Sequence, residues 1–264
     1  MNIPNLEEAK ERFFDAIYRP SIPRANFQKP FDDLDRGTRI LNTEAECNQY
    51  IALYAGHHFY KLYAAFASTQ FENINSREVE IVDWGCGQAL ATCILIDYLI
   101  ERGINLDVSS ITLIEPSEIA LQCGYTYIKQ IFQNDVAIES VVRRVNKSID
   151  DLLPIDLVSQ PNVIKIHLFS NIIDVEGFDL ARLHRLIVNS FQGVNRVICT
   201  SPDNFRQQRL DTFYNFFSQS HQPTRVVSLK DAIFGEVFYA ANNRFEQRRI
   251  GRCEKQFTVN LTRS

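Results

Sequence analysis

Two glycines one residue apart interrupt the stretch Val82-Asp83-Trp84-Gly85-Cys86-Gly87, directly after an apolar run. A bare backbone at that place permits positive φ and lets a ligand approach the main chain, and the amides behind it open a helix. Asp83 precedes the turn. Downstream, Ile111-Thr112-Leu113-Ile114-Glu115-Pro116-Ser117 ends another apolar run in a carboxylate. A carboxylate is a hydrogen-bond acceptor for more than one donor at once. Other polar residues stand after apolar runs: Ser148 with Ile149 in RVNKSIDDLLP, and Phe169, Ser170 and Asn171 in HLFSNIIDV. Ser170 and Asn171 suit either the orientation of a polar acceptor or the capping of a following helix. His57 lies in YAGHHFYKLY, where helical spacing puts Tyr54, His57 and Lys61 on one face. Arg244, Arg248, Arg249 and Arg252 cluster near the end, as a set of phosphate contacts or as a charged, solvated edge strand.

These residues need elements to carry them. Residues 5–18 show a helical stripe through Leu6, Ala9, Phe13 and Ile17, with Asn5 and Glu8 spaced as a capping box. A proline-rich connection follows. Residues 43–69 predict one long helix, again with a capping box at Thr43 and Glu46. From Glu78 onward, short β-rich runs alternate with apolar helices. That pattern predicts βαβ units and a mainly parallel sheet covered on both faces. IESVVRRVN reads as one of the strands. TRVVSL and RCEKQFTVNL, with no helix between them, predict an antiparallel pair at the sheet edge. The expected organisation is a helical cap over residues 1–72 and an α/β domain over 73–264.

The turn VDWGCGQALAT resembles the first motif of the class I (Rossmann-like) S-adenosylmethionine-dependent methyltransferases, with Ala89 where a third glycine is common. Glu115 fits that family's ribose-binding acid at the end of strand two. The resemblance implies a doubly wound, seven-stranded-type sheet and S-adenosyl-L-methionine as cofactor. It implies cofactor contacts from Asp83, Gly85, Cys86, Gly87, Glu115, Pro116, Ser148, Ile149 and Phe169. It places Ser170 and Asn171 where methyl donor meets acceptor, with His57 as a base or a contact from the cap. The acceptor, whether small molecule, protein or RNA, is left open. The proline-rich motif of amino-group-methylating nucleic-acid enzymes and the Pro-Cys nucleophile of the pyrimidine C5 enzymes are absent.

Two other readings compete: a non-catalytic interaction protein that keeps the pocket, and an NAD-dependent oxidoreductase. For the latter, the third glycine of the dinucleotide fingerprint falls on Leu90, and no Gly-Lys-Ser/Thr follows for a P-loop. A net charge of −4 gives no overall steering to nucleic acid. Six scattered cysteines without a C-x-x-C pair predict free thiols in a reducing cytoplasm and no metal site. No signal peptide or membrane-spanning run is read.

Overall fold

The computed structural model describes residues 12–27, 34–35, 39–132, 136–203 and 208–262. The first half of the helix predicted over residues 5–18, including the Asn5–Glu8 box, lies outside them. What is described begins with a wide turn at Phe14–Tyr18, then a short helix α1 (Arg19–Ser21) and a tight turn at Ile22–Arg24.

The long helix over 43–69 is present as three consecutive segments: α2 (Glu44–Tyr50), a wide π turn at Ile51–Ala55, and α3 (Gly56–Ser68). Thr43 and Glu46 form the expected reciprocal cap. β1 (Glu78–Trp84) then leads into α4 (Leu90–Glu101), and β2 (Asp107–Ile114) into α5 (Glu118–Ile131). Ser117 caps α5 by accepting from the Ala120 amide at 3.1 Å.

The run IESVVRRVN divides, against the sequence expectation of a single strand. Its first half ends a short helix α6 (Val136–Val141), and only Val142–Val145 forms β3. Apolar runs of this length suit either state, and packing under β2 decides here. β4 (Ile164–Ser170), α7 (Leu180–Ser190), β5 (Gly193–Pro202) and α8 (Gln208–Ser220) follow. The chain closes with β6 (Thr224–Tyr239) and β7 (Arg244–Leu261).

The sheet order is β3-β2-β1-β4-β5-β7-β6. The first five strands run parallel, and β7 is antiparallel to both β5 and β6. This is the doubly wound, mainly parallel seven-stranded sheet that the resemblance implies. The order reverses at β1, between β2 and β4, where the crevice at the strands' carboxyl ends lies. One apolar cluster, with α4, α5 and the N-terminal helices, covers one face. A second, with α7 and α8, covers the other.

The antiparallel pair is longer than TRVVSL and RCEKQFTVNL suggest. β7 is also not an edge: it sits between β5 and β6 over Arg252–Leu261, and β6 is the edge. Residues 244–251 pair with β6 alone, making a ribbon that runs past β5. The ribbon packs on the N-terminal helices. The Tyr18 hydroxyl accepts from the Phe238 amide at 2.9 Å. A Cβ at Gly235 would lie 2.3 Å from the Tyr60 ring, so only glycine lets the two meet there.

Candidate functional site

α4 is buried almost all round, from Leu90 to Leu99. A helix apolar on every side must lie between two packed layers, and this fixes where its N-terminus points. The turn feeding it has positive φ at Gly85 (+56°), Gly87 (+52°) and Ala89 (+56°). The two glycines serve different ends. A Cβ on Gly85 would lie 2.8 Å from Ile172, just beyond β4, so Gly85 permits close packing of two strand ends. A Cβ on Gly87 would meet nothing within 4 Å, so this residue faces open space.

Glu115 closes the second side. Its carboxylate accepts from the Gly87 amide and from the Ser117 amide, each at 3.0 Å. The tips of β1 and β2 are therefore joined, with Cys86 adding a backbone bond to Ile114 at 2.9 Å. Burial raises the Glu115 carboxyl above the ordinary range, and the two amide bonds pull it back. A carboxylate has about four acceptor positions. Two are taken, which leaves capacity for hydroxyls.

Asp83 does not bond its own turn. Its Oδ2 accepts from the Thr92 hydroxyl at 2.8 Å and the Thr92 amide at 3.2 Å, tying β1 to the first turn of α4. Its Oδ1 is buried with no hydrogen-bond partner. Burial pushes its carboxyl up to about 7, with Thr92 lowering it and Glu115 raising it further.

At the tip of β4, Asn171 adopts φ +53° and its amide donates to Thr200 O at 2.8 Å. It does not cap a helix. α7 starts later, and Asp179 caps it by accepting from the Ala181 and Arg182 amides. The Asn171 side chain instead joins the N-terminal helix. Its Oδ1 accepts from Lys61 Nζ at 2.5 Å, and its Nδ2 lies 3.0 Å from His58. Ser170 Oγ is 3.4 Å from the same Nδ2. Lys61 is 4% exposed. Burial brings its ammonium down to about 8, with Asp174 and Cys253 near enough to pull it back up. His58 is held well below its ordinary value by burial, with Lys61 and His57 adding to the effect. The Tyr50 ring is 6.0 Å from His58, and Glu115 and Asp174 both act on its hydroxyl.

The structure thus gathers Gly87, Glu115, Ser170 and Asn171 at the strand tips, and it adds His58, Lys61 and Tyr50. The histidine that meets Asn171 is His58. His57 sits toward the ribbon, where the charges of Lys61 and Arg248 act on it. Both histidines stand one turn before Lys61 in α3, at i−4 and i−3, and the docking of α3 on the tip of β4 selects His58.

Other expected contacts sit differently. Phe169 is 1% exposed, stacked on Trp84 at 5.5 Å and edge-on to Phe213 in the opposite face's core. Alternation along β4 puts it opposite Leu168 and Ser170. Only its backbone is near the tips. Ile149 is buried in the same second core, and the Ser148 hydroxyl is bonded to Asp151 at 2.5 Å. The carbonyls of Glu115 and Pro116 accept from Asn146, the first residue past β3. The four arginines do not form one patch. Strand alternation puts Arg249 on the face opposite Arg244, Arg248 and Arg252. Arg244 and Arg248 pair with Glu246, and Arg252, 6% exposed, lies between Asp231 and Glu254.

No family model matches the chain, and no curated protein does. Solved structures that superpose on it include three methyltransferases. The precorrin-6y C5,15-methyltransferase of Geobacter metallireducens gives a TM-score of 0.44 at 12% identity, over 75% of this chain and 87% of that one. A SAM-dependent O-methyltransferase of Thermotoga maritima gives 0.45 at 10%, over 76% and 66%. The plantazolicin methyltransferase in complex with SAH gives 0.48 at 9%, over 94% and 98%.

Proposed function

We propose that the protein is a methyltransferase that uses S-adenosylmethionine. The observation that carries this reading is the joined pair of tips: Gly87, open where a side chain would stand, with its amide held by the Glu115 carboxylate. Glu115 holds the ribose hydroxyls with its two remaining acceptor positions. The Gly85–Gly87 turn lies against the amino-acid part, and Pro116 lies beside the base. When bound, the cofactor supplies an already activated methyl on sulfur, and the protein's task is mostly positioning. Lys61, Asn171 and His58 face the acceptor. Asn171 holds the Lys61 amine in place, and that amine, neutral above pH 8, takes the proton of a hydroxyl or amine acceptor. Residues 1–72 act as a cap that closes over the tips. An acceptor bearing phosphate would meet Arg249 directly, but Arg244 and Arg248 only by displacing Glu246. Unbridged thiols at all six cysteines suit a reducing cytoplasm.

The test is calorimetry and thermal shift with SAM, its demethylated product SAH, and NAD. SAM and SAH are expected to stabilise the protein and NAD to leave it unchanged. Glu115→Gln, which keeps the shape but not the charge, is expected to weaken SAH about tenfold or more. Stabilisation by NAD alone, or equal SAH affinity in the variant, would remove the reading. SAM binding with no label transfer to any component of a cell extract would favour a non-catalytic interaction protein.

A further inference from the structure

A second polar site lies at the other end of the sheet. Arg196, near the start of β5, is 5% exposed. Its Nη1 makes only long bonds, 3.4 Å each, to the carbonyls of Thr69 and Gln70 just past α3. Its Nε is buried with no hydrogen-bond partner. It borders a cavity of about 190 Å³ shared with Thr69, Gln70, Arg225, Gln256 and Thr258. Arg225 enters from a bulge in β6, at φ +52°, and its Nη1 donates to Gln70 Oε1 at 3.2 Å. Among the described residues, no carboxylate lines this cavity. The nearby Glu254 already accepts from Arg252, Ser68 and Gln256. Burial, with the like charge of Arg225 adding to it, lowers the Arg196 guanidinium to about 10.

Two guanidinium groups border one small cavity that no carboxylate lines among the described residues, and one of them is buried with an unmet donor. Buried charges are ordinarily paired, and guanidinium donors match tetrahedral oxyanions in geometry as well as charge. The volume is below that of pockets for drug-sized ligands. It suits a single phosphoryl group rather than a whole nucleotide. We propose that Arg196 and Arg225 form a binding site for a small oxyanion, either free phosphate or the terminal phosphoryl group of a monoester. It lies at the end of the sheet opposite the glycine turn and does not depend on the methyltransferase reading.

The experiment is thermal unfolding and calorimetry of the full chain with sodium phosphate, against sodium chloride at equal pH and ionic strength. Saturating phosphate is expected to raise Tm by roughly 2–4 °C beyond chloride. Arg225→Gln, on the exposed bulge, is expected to weaken phosphate about tenfold and leave SAH affinity unchanged. Arg196→Gln is expected to abolish the phosphate response. Glycerol 3-phosphate competing with phosphate would identify a monoester ligand, and a lack of competition would identify the free anion. Equal stabilisation by phosphate and chloride, or wild-type phosphate affinity in Arg225→Gln, would overturn the proposal.

Discussion

Asp83 provides a test of how the strand tip is built. It is 1% exposed, and burial raises its carboxyl from an ordinary 3.8 to about 7. A raised carboxyl contributes stability that is complete below the unfolded value and is lost as pH climbs through the folded one. The displacement corresponds to about 4 kcal/mol lost between pH 4 and pH 7. Between roughly pH 4.5 and 6.5 the folded state holds one proton that the unfolded state has released, so the contribution falls by about 1.4 kcal/mol per pH unit.

Asp83→Asn removes this dependence. The carboxamide oxygen keeps the Thr92 bonds, and its nitrogen falls where Oδ1 now accepts nothing, a constant penalty of about 1–3 kcal/mol. The readout is therefore the slope, not the offset. Buried His58 and His167 and half-buried His184 have lowered values and push the wild-type profile the opposite way. The comparison must be the difference between variant and wild type. Urea unfolding followed by the fluorescence of Trp84, the only tryptophan and fully buried beside Asp83, measures it. The difference in ΔG is expected to rise by about 1.4 kcal/mol per pH unit across that window. Parallel profiles would refute the placement of an uncharged carboxyl behind the turn.

Other outcomes follow from the same geometry. Gly85→Ala places a methyl 2.8 Å from Ile172 at positive φ and is expected to cost roughly 2–5 kcal/mol in urea unfolding. Gly87→Ala has room, so it should cost only about 1–2 kcal/mol while sharply reducing SAH binding, since the methyl projects into the space assigned to the ligand. Lys61→Met is expected to retain SAH binding but lose label transfer from SAM to the extract, and wild-type transfer should rise as pH passes 8, where the amine becomes neutral. Wild-type transfer rates in Lys61→Met would remove the assignment of that amine.

Much of the frame was readable because it is written in local patterns. The alternation of strand and helix from Glu78, the Thr43–Glu46 cap and the glycine turn depend on residues close in sequence. Phe169 shows the limit: its spacing suited a contact at the tip, but one step along β4 decides which face a side chain takes. His58 was missed because His57 and His58 both neighbour Lys61 along α3, and only the docking of that helix on β4 selects between them. Lys61 and Asn171 stand far apart in the chain, and only the docking of α3 over β4 brings them to 2.5 Å. The middle of the β6–β7 ribbon was unreadable for a different reason. Its charged, half-exposed residues carry no clean period, and pairing between its two strands fixes it.

That ribbon also sets the order of events during synthesis. Gly235, Phe238 and Phe245 grip helices made from residues near the beginning of the chain, through Tyr60, Tyr18 and Phe14. The early helices therefore dock on α4, α5 and the tip of β4 first, and gain their second packing surface only when the last strands have been translated. A nascent chain stalled before residue 230 would keep the contacts of those helices with Gln88, Ser117 and Asn171 but lack the ribbon that clamps them from the other side, and contacts of such long sequence separation form late.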